Sequence, residues 1–357
     1  MNSENQREMR KNEHVHLVSK QNSIEVFSHF DDLHFVHHSL PEVNYEEIDI
    51  TTSFANIQLG RPIYINAMTG GSKKTGEINA LLAEIAKTTG LAMAVGSQHA
   101  GLRNEQLADT YKIVRQKHPN GIIFANIGAD VPIDFARKAI DMVEANALQV
   151  HLNVPQELVM YEGERNFLDW SKKIEQLIKI IEIPIIIKEV GFGMSMETIS
   201  FLHKLGIQYI DISGRGGTNF IWVENQRNSQ INYEYLNGWG QSTVISLLEA
   251  QNWLNKLTVF ASGGVRNPLD IVKSCSLGAR AVGIAGPILR KLLAEGVEAT
   301  IKQIMDWLEG IQVIMTMLGA RKISDLQECP IIVKNEVFEW CQLREIDVKK
   351  LANRSKK

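Results

Sequence analysis

The sequence contains only three cysteines, Cys275, Cys329 and Cys341, and none of them lies in a CxxC or other paired spacing. This scarcity argues against a disulfide framework and against a structural zinc site. It favours a reducing compartment, which we expect to be the cytoplasm. The three thiols are therefore expected to be small buried apolar residues.

Long apolar runs and an excess of one charge are missing as well. No segment reaches the ~18 consecutive apolar residues of a membrane span, and the polar start MNSENQREMRKNEH lacks the apolar core of a signal peptide. Thirty-eight Lys and Arg stand against 41 Asp and Glu, a formal net charge of -3. We expect no binding to nucleic acid or to a membrane surface, so any bound phosphate must be met by local groups.

Eight short β-branched segments recur from residue 62 onward, each followed by a polar residue or glycine and a helix-like stretch. They are residues 62–68, 91–97, 121–128, 147–153, 184–191, 207–214, 257–264 and 280–286. This alternation predicts a parallel sheet covered on both faces. Eight units also match the roughly 250 residues typical of a (β/α)8 barrel. The fingerprint of the competing doubly wound sheet is absent, because GFGMSM lacks a third glycine.

We therefore predict an α/β fold, a TIM barrel over residues 62–357 with an N-terminal extension over residues 1–61. The extension is expected either to fold back over the barrel or to form a partly mobile arm. A long insert at 219–238 is expected to be functional or mobile. Helical spacing before Gly319 predicts a final amphipathic helix with a buried stripe. The stripe consists of Ile301, Ile304, Met305, Leu308, Ile311, Met315 and Leu318.

The carboxyl ends of the strands form the candidate site, since catalytic residues of such barrels lie there. The glycines of SGGVRN and IAGP would let backbone N–H groups and a helix dipole approach a phosphate, although a single glycine can also serve its turn alone. The glycines of MTGG (68–71) would leave room for a flat ring. With Lys188 as a cation near a reduced flavin, these features favour an FMN-binding barrel. An internal ion pair is the alternative for that lysine.

Seven motifs spread over almost the whole chain resemble those of type 2, FMN-dependent isopentenyl diphosphate isomerases. They are RKNEH (10–14), MTGG (68–71), GSQ (96–98), HLN..QE (151–157), KEVG (188–191), SGRGGT (213–218) and ASGGVRN (261–267). RKNEH joined to HLN..QE is the most specific combination. The resemblance implies interconversion of isopentenyl and dimethylallyl diphosphate with reduced FMN and Mg²⁺. It also implies NAD(P)H as the reductant and a homo-oligomer, either a tetramer or an octamer. Gln241 departs from the pattern, which often has proline there.

The resemblance further implies a role for each motif residue. FMN contacts would come from Ala67, Met68, Thr69, Ser97, Asn126, Lys188, Ser213, Thr218, Gly263, Gly264, Ala285 and Gly286. Substrate contacts would come from Arg10, Lys11, Ser97, His99, Asn153 and Gln156. Glu157 would hold the metal, and the catalytic candidates are His151, Gln156 and Glu157.

Moving a double bond adds a proton at one carbon and removes one from a neighbour, so an acid and a base must lie within hydrogen-bond reach. Gln156 offers only an amide. We therefore expect the reduced flavin to supply or accept protons at N5, while Gln156 orients the reacting groups or relays a proton. Arg10 and Lys11 would close over the diphosphate. Glu157 would be a single protein carboxylate on Mg²⁺, whose other ligands come from phosphate and water. His151 has no second ligand at metal spacing and is expected to be a satisfied rim histidine or a substrate contact.

Two other classes of protein remain as alternatives. An FMN-dependent oxidoreductase would need a histidine base after strand seven or a nucleophilic cysteine after strand six, and the sequence has neither. A non-catalytic flavin sensor would bind FMN without turnover, and the substrate-side residues argue against it.

Overall fold

The computed structural model describes residues 3–20, 28–227 and 230–354, so positions 228 and 229 of the predicted insert lie outside the described residues. Four elements precede the barrel, together with two short 3-10 helices at His29–Asp32 and Tyr45–Glu47. The four are α1 Ser3–Lys20, β1 Leu33–Phe35, β2 Thr52–Phe54 and β3 Ile57–Leu59.

Eight parallel strands then close into a barrel, in which each strand pairs with the next in sequence and the last pairs with the first. The elements are β4 Ile63–Ile65, α2 Lys73–Thr89, β5 Ala92–Ala94, α3 His99–Arg103, α4 Asp109–Lys117, β6 Ile123–Gly128, α5 Ile133–Val143, β7 Ala147–Leu152, α6 Val154–Val159, α7 Trp170–Ile180, β8 Ile185–Glu189, α8 Met196–Lys204, β9 Tyr209–Asp211, α9 Phe220–Arg227, α10 Thr243–Glu249, β10 Thr258–Ser262, α11 Pro268–Ser276, β11 Ala279–Ile284 and α12 Gly286–Leu318. Short 3-10 helices lie at Glu105–Leu107, Glu234–Leu236 and Gln251–Trp253. Each predicted strand overlaps one barrel strand, so the predicted fold is confirmed.

The inward-facing side chains change from apolar to polar along the strands. Because side chains alternate between the two faces of a strand, an apolar inward residue is followed two positions later by a polar one. Phe124 precedes Asn126, Ile186 precedes Lys188, and Phe260 precedes Ser262. The barrel is therefore apolar near the strand starts and hydrogen-bonding near the strand ends.

The hairpin of β2 and β3 closes the apolar end of the barrel. Phe54 lies with its ring centroid 5.9 Å from that of Phe124, 4.9 Å from that of Phe260 and 5.6 Å from that of Tyr209, in edge-to-face geometry. Such pairs stabilise aromatic clusters beyond the burial of their area. The extension thus supplies part of the barrel core.

The segment after residue 300 is more complex than a single final helix. The predicted helix is the second part of α12, which is interrupted at Gly296 (φ 84°, ψ -174°) and ends at Gly319 in the left-handed region. Four residues of the stripe are buried, whereas Met305 is 45% exposed, so its predicted burial is wrong. The chain continues through a 3-10 helix at Ile323–Glu328, β12 Ile331–Val333, α13 Asn335–Leu343 and α14 Val348–Ala352.

The two ends of the described chain are joined to each other and to the barrel. β1 and β12 pair in antiparallel fashion, with Leu33 opposite Val333. The Arg344 guanidinium donates to the buried Glu249 carboxylate at 2.9 and 3.1 Å. All three cysteines are buried, as expected. Over residues 3–20, 28–227 and 230–354, no helix has the length and apolarity needed to cross a bilayer.

Candidate active site

Helix α1 brings cationic side chains to the polar end of the barrel. Lys11 is half-buried, and its partial burial, together with the neighbouring Arg10 charge, lowers the pKa of its ammonium to about 8, while Glu224 acts in the opposite direction. The Arg10 guanidinium lies 3.2 Å from the Met160 sulfur and 3.8 Å from Glu162. The predicted substrate arm therefore places two cations over the site, close to a single buried carboxylate.

His151, at the end of β7, lies within the field of these cations. Its Nδ1 is 2.9 Å from Asn126 Oδ1. Burial lowers the pKa of His151 to about 3, and the charges of Lys188, Lys11 and His99 act in the same direction. His151 is therefore a neutral imidazole at physiological pH. The structure thus brings four of the predicted residues into one electropositive region around this ring.

Glu224 is a residue of the site that the sequence reasoning missed. It lies on α9, inside the insert, and is 1% exposed. The Gln156 amide donates to its Oε1 at 2.8 Å, His14 Nε2 lies 2.9 Å from the same oxygen, and Arg227 pairs with the other oxygen. Burial acts to raise the pKa of Glu224, but the contact with His14 and the charges of His14 and Arg227 outweigh it and lower the pKa to about 2.

The predicted metal ligand lies one helical turn from the start of α6. Glu157 accepts hydrogen bonds at 2.8 Å from the Asn153 amide and from the Glu164 backbone N–H. Burial raises the pKa of Glu157. Among the described residues, no three acidic, histidine or cysteine side chains form a metal cluster. A single carboxylate beside an amide suits Mg²⁺ that takes its other ligands from phosphate and water.

Lys188 lies inside the barrel beside acidic neighbours, and its contact with a flavin stays a prediction. Its ammonium donates to the Glu189 carbonyl at 2.7 Å, and its strand neighbours are His151 and Asp211. Burial lowers the pKa of Lys188, whereas the charges of Asp211 and Glu189 act to raise it. The lysine is therefore a buried cation with acidic neighbours that also faces the site.

The glycines of MTGG are required by packing that the sequence did not reveal. A Cβ on Gly70 would lie 2.1 Å from the Tyr111 ring, and a Cβ on Gly71 would lie 2.8 Å from the Tyr111 hydroxyl. Both glycines also have positive φ, at 127° and 94°. The space beside them is taken by Tyr111, whose hydroxyl donates to the Ser97 carbonyl at 2.7 Å. The missing side chains therefore make room for Tyr111, and a flat ring against the backbone of these glycines stays a prediction.

Among the neighbouring residues predicted to contact FMN, several polar groups already have hydrogen-bond partners within the protein. The Thr69 hydroxyl is engaged by Asn79 at 2.5 Å, and the Ala67 N–H donates to the Asn66 side chain at 2.8 Å. Met68 packs against the main core. Thr218 lies beside Gly191, where an added Cβ would come within 2.9 Å of the Thr218 carbonyl. These positions could contact a cofactor mainly through peptide groups.

The glycine-rich loops after β9 and β10 pack backbone to backbone. A Cβ on Gly263 would lie 2.0 Å from the Gly214 carbonyl oxygen, and one on Gly264 would lie 3.1 Å from Gly216 Cα. The Thr243 hydroxyl lies 2.8 and 2.6 Å from the carbonyls of Ser262 and Gly263. Glycine is thus required for the contact between the two loops. At these positions the two loops present half-buried or buried peptide groups and no side chains.

An uncompensated cation next to these loops fits a phosphate there. Arg290 follows Gly286 by one turn at the start of α12, and its Nη1 would lie 2.9 Å from a Cβ on Gly286. Burial lowers the pKa of Arg290 with no opposing carboxylate, and no ion pair or hydrogen bond involves it within the described part of the chain. Together with the N–H groups after Ala285 at the helix start, this half-buried charge fits the phosphate of FMN.

Residues 131–332 match the family model of FMN-dependent dehydrogenases. Over 346 residues the chain is 49% identical to an isopentenyl-diphosphate delta-isomerase of Staphylococcus haemolyticus and 47% identical to one of Staphylococcus aureus. Each alignment covers 97% of this chain and 99% of the relative. The chain belongs to the type 2 isopentenyl-diphosphate isomerase family.

Solved structures of other FMN enzymes share the fold of this isomerase family member at low identity. The flavin-binding domain of baker's yeast flavocytochrome b2 gives a TM-score of 0.64 at 20% identity, covering 92% of this chain and 84% of that one. A mandelate oxidase gives 0.65 at 14% identity, covering 90% and 92%. These likenesses extend to the barrel architecture alone.

Two acidic residues of this isomerase were not predicted from the sequence. One lies inside the barrel and the other lies in the insert. Asp211 interrupts the apolar run IQYIDISG, and Glu224 is the single carboxylate in FIWVENQ. A lone acidic residue in an apolar segment was the available signal in both cases, since such groups are buried only with partners.

Proposed function

We propose that the protein interconverts isopentenyl and dimethylallyl diphosphate, using bound reduced FMN and Mg²⁺. The observation that carries this proposal is the electropositive mouth, in which Arg10 and Lys11 are neighbours, the Lys11 charge acts on a neutral His151, and Gln156 pairs with Glu224. An anionic ligand with an apolar tail suits such a site, because the charges gain a counterion and the tail remains out of water.

The cationic side of the mouth would bind the diphosphate. Arg10 can offer a bidentate fork and Lys11 a point charge. Glu157 and Asn153 would hold Mg²⁺ jointly with the phosphate oxygens. His99 and Ser97 would complete this end. These groups would fix the diphosphate end of the substrate, so that the hydrocarbon end is held in one position relative to the catalytic groups.

The hydrocarbon end would lie near Gln156, whose amide is oriented by the ionised Glu224. An anionic carboxylate behind the amide stabilises positive charge that develops on the substrate carbons. His151 remains neutral, so it adds no repulsion to that charge. When bound and reduced, FMN would supply an electron-rich ring with a nitrogen able to exchange protons beside the reacting carbons.

Residues of the barrel rim would hold the flavin. The glycines 263 and 264, the start of α12 at Gly286 and the Arg290 charge would bind the phosphate. Lys188, Asn126 and Ser213 would face the ring. Peptide groups of residues 67–69, together with Thr218, would complete the contact. This division suits a ligand with one anionic end and one flat polar ring.

An anaerobic turnover experiment tests the proposal. The FMN-loaded protein is photoreduced, isopentenyl diphosphate and Mg²⁺ are added in D₂O, and products are followed by NMR and mass spectrometry. We expect many turnovers to dimethylallyl diphosphate, deuterium uptake and no net oxidation of the flavin. Stoichiometric flavin oxidation would indicate an oxidoreductase, and FMN binding without turnover would indicate a sensor.

We further propose NAD(P)H as the source of reduction, a homo-oligomer as the working state and the cytoplasm as its location. Membership of the family supports these three proposals. Anaerobic bleaching of bound FMN by NADH and by NADPH measures the first, and light scattering distinguishes a tetramer from an octamer. Fractionation of cells that contain the natural protein measures its location.

A further inference from the structure

Asp211 is a fully buried carboxylate at the end of β9 that the proposed reaction does not use. Its side chain is 0% exposed. The Tyr64 hydroxyl donates to it at 2.9 Å, the Ser262 hydroxyl at 2.8 Å and the Ser213 backbone N–H at 3.1 Å, while the Asn66 amide lies at 3.5 Å. The carboxylate therefore has the hydrogen-bond donors that a buried acidic group requires.

These partners come from different sides of the barrel. Tyr64 lies on β4, which is not a neighbour of β9 in the strand order, so this hydrogen bond crosses the interior. Lys188, on the adjacent β8, is the register partner of Asp211. Three of the groups precede or form predicted flavin contacts: Asn66 precedes Ala67, and Ser213 and Lys188 are contacts themselves. One carboxylate therefore connects the strand ends on which the flavin would rest.

We propose that Asp211 is a positioning residue of the flavin site, which supplies the negative charge opposite Lys188 and holds the strand ends beneath the cofactor. This inference rests on the proposed function. The charged and titratable groups that face Lys188 are His151 from β7, Asp211 from β9 and Glu189 on its own strand. Among them Asp211 is the acid whose side chain is held inside the barrel by donors from other strands. The Glu189 carboxylate instead accepts from the N–H groups of residues 190–192.

The electrostatic consequence has a definite sign. Burial lowers the pKa of Lys188, and Asp211 opposes that effect. In Asp211→Asn the opposing charge is lost, so Lys188 gives up its proton at a lower pH. Asp211 lies opposite Lys188 on the adjacent strand, and an opposite charge within about 4 to 6 Å shifts a pKa by roughly 1 to 3 units. A charged Lys188 stabilises an anionic reduced flavin, so its deprotonation lowers the flavin midpoint potential.

The test is the midpoint potential of bound FMN, measured by spectroelectrochemistry from neutral to alkaline pH. Lys188→Met identifies the bend in this plot that belongs to Lys188, and Lys11→Met shows which bend does not. In Asp211→Asn we expect the Lys188 bend to move to lower pH by roughly one unit or more. Tyr64→Phe removes a donor but no charge, and it should leave the bend in place.

Each outcome separates this inference from the proposed function. A native protein that binds no FMN, or binds it without isomerisation, contradicts the function. A bend at the native position in an FMN-loaded Asp211→Asn protein contradicts the inference alone. Asp211→Ser is the second neutral variant. If neither variant folds, as judged by circular dichroism, the proposal is overturned, because the carboxylate would then serve the assembly of the barrel.

Discussion

At the scale of single residues, Glu224 decides how the mouth of the barrel is charged. Its carboxylate is buried among His14, Gln156 and Arg227, so its replacement by an amide removes the negative charge that these groups share. We predict that Glu224→Gln lowers kcat by roughly 100-fold or more, the scale of general acid–base groups, while FMN stays bound. Steady-state kinetics and flavin absorbance measure the two effects.

Glu162→Gln is the matched control for that substitution. Glu162 also pairs with Arg227, at 2.9 Å, but its side chain is 46% exposed. Exposed ion pairs contribute little, about 0 to 1 kcal/mol, so turnover should change only a few-fold. Equal losses in the two variants would contradict a specific role for Glu224.

The Lys11 ammonium sets an alkaline limit on substrate capture. The pKa of Lys11 is lowered by burial to about 8, so its charge is present below this pH and is lost as the pH rises through it. We predict that kcat/KM, which reports the free enzyme, falls above about pH 8. Lys11→Gln should lower kcat/KM at neutral pH and remove this limb. A limb that persists in the variant would assign it to another group.

At the scale of elements, the loop after β4 depends on two features of Gly70. The residue has φ 127°, and a Cβ would collide with the Tyr111 ring. We predict that Gly70→Ala lowers the free energy of unfolding by about 3 kcal/mol, from backbone strain and overpacking together. Urea denaturation of the FMN-free protein measures this change.

Gly90 provides the comparison, because it has φ 72° but nothing within 4 Å of an added Cβ. Gly90→Ala should lower the free energy of unfolding by about 1 kcal/mol, the strain of placing alanine in the left-handed region alone. Similar losses at both positions would mean that the contact with Tyr111 carries no weight.

The elements also show what the sequence could and could not predict. Residues in β6 to β8 repeat an apolar β-branched pattern with a polar residue at the strand end, so the barrel and Asn126, His151 and Lys188 were predictable from local spacing. The contact of Gln156 with Glu224 was not, because it joins α6 to the irregular insert across 68 residues of sequence. The role of Tyr111 behind MTGG was hidden for the same reason.

At the scale of the whole molecule, one buried acid links the C-terminal region to the barrel. Glu249 accepts from Arg344 at 2.9 Å and from the Trp340 indole at 2.8 Å. We predict that Arg344→Met lowers the free energy of unfolding by about 3 kcal/mol, since it leaves a buried carboxylate without its cation. Thermal and denaturant unfolding measure the loss.

Lys302→Met is the surface control. Lys302 pairs with Asp306 at 2.6 Å, but both side chains are exposed, and such helix pairs are worth about 0.3 to 0.5 kcal/mol. A loss in Arg344→Met as small as in this control would show that the C-terminal region contributes little to the barrel's stability.

The pairing of β1 with β12 has a consequence for the order of folding during synthesis on the ribosome. The first of these strands is synthesised before the barrel, whereas its partner is synthesised after it. Domains otherwise form progressively from the N-terminus during synthesis. Here Leu33–Phe35 can pair with Ile331–Val333 only after the whole barrel between them has been synthesised.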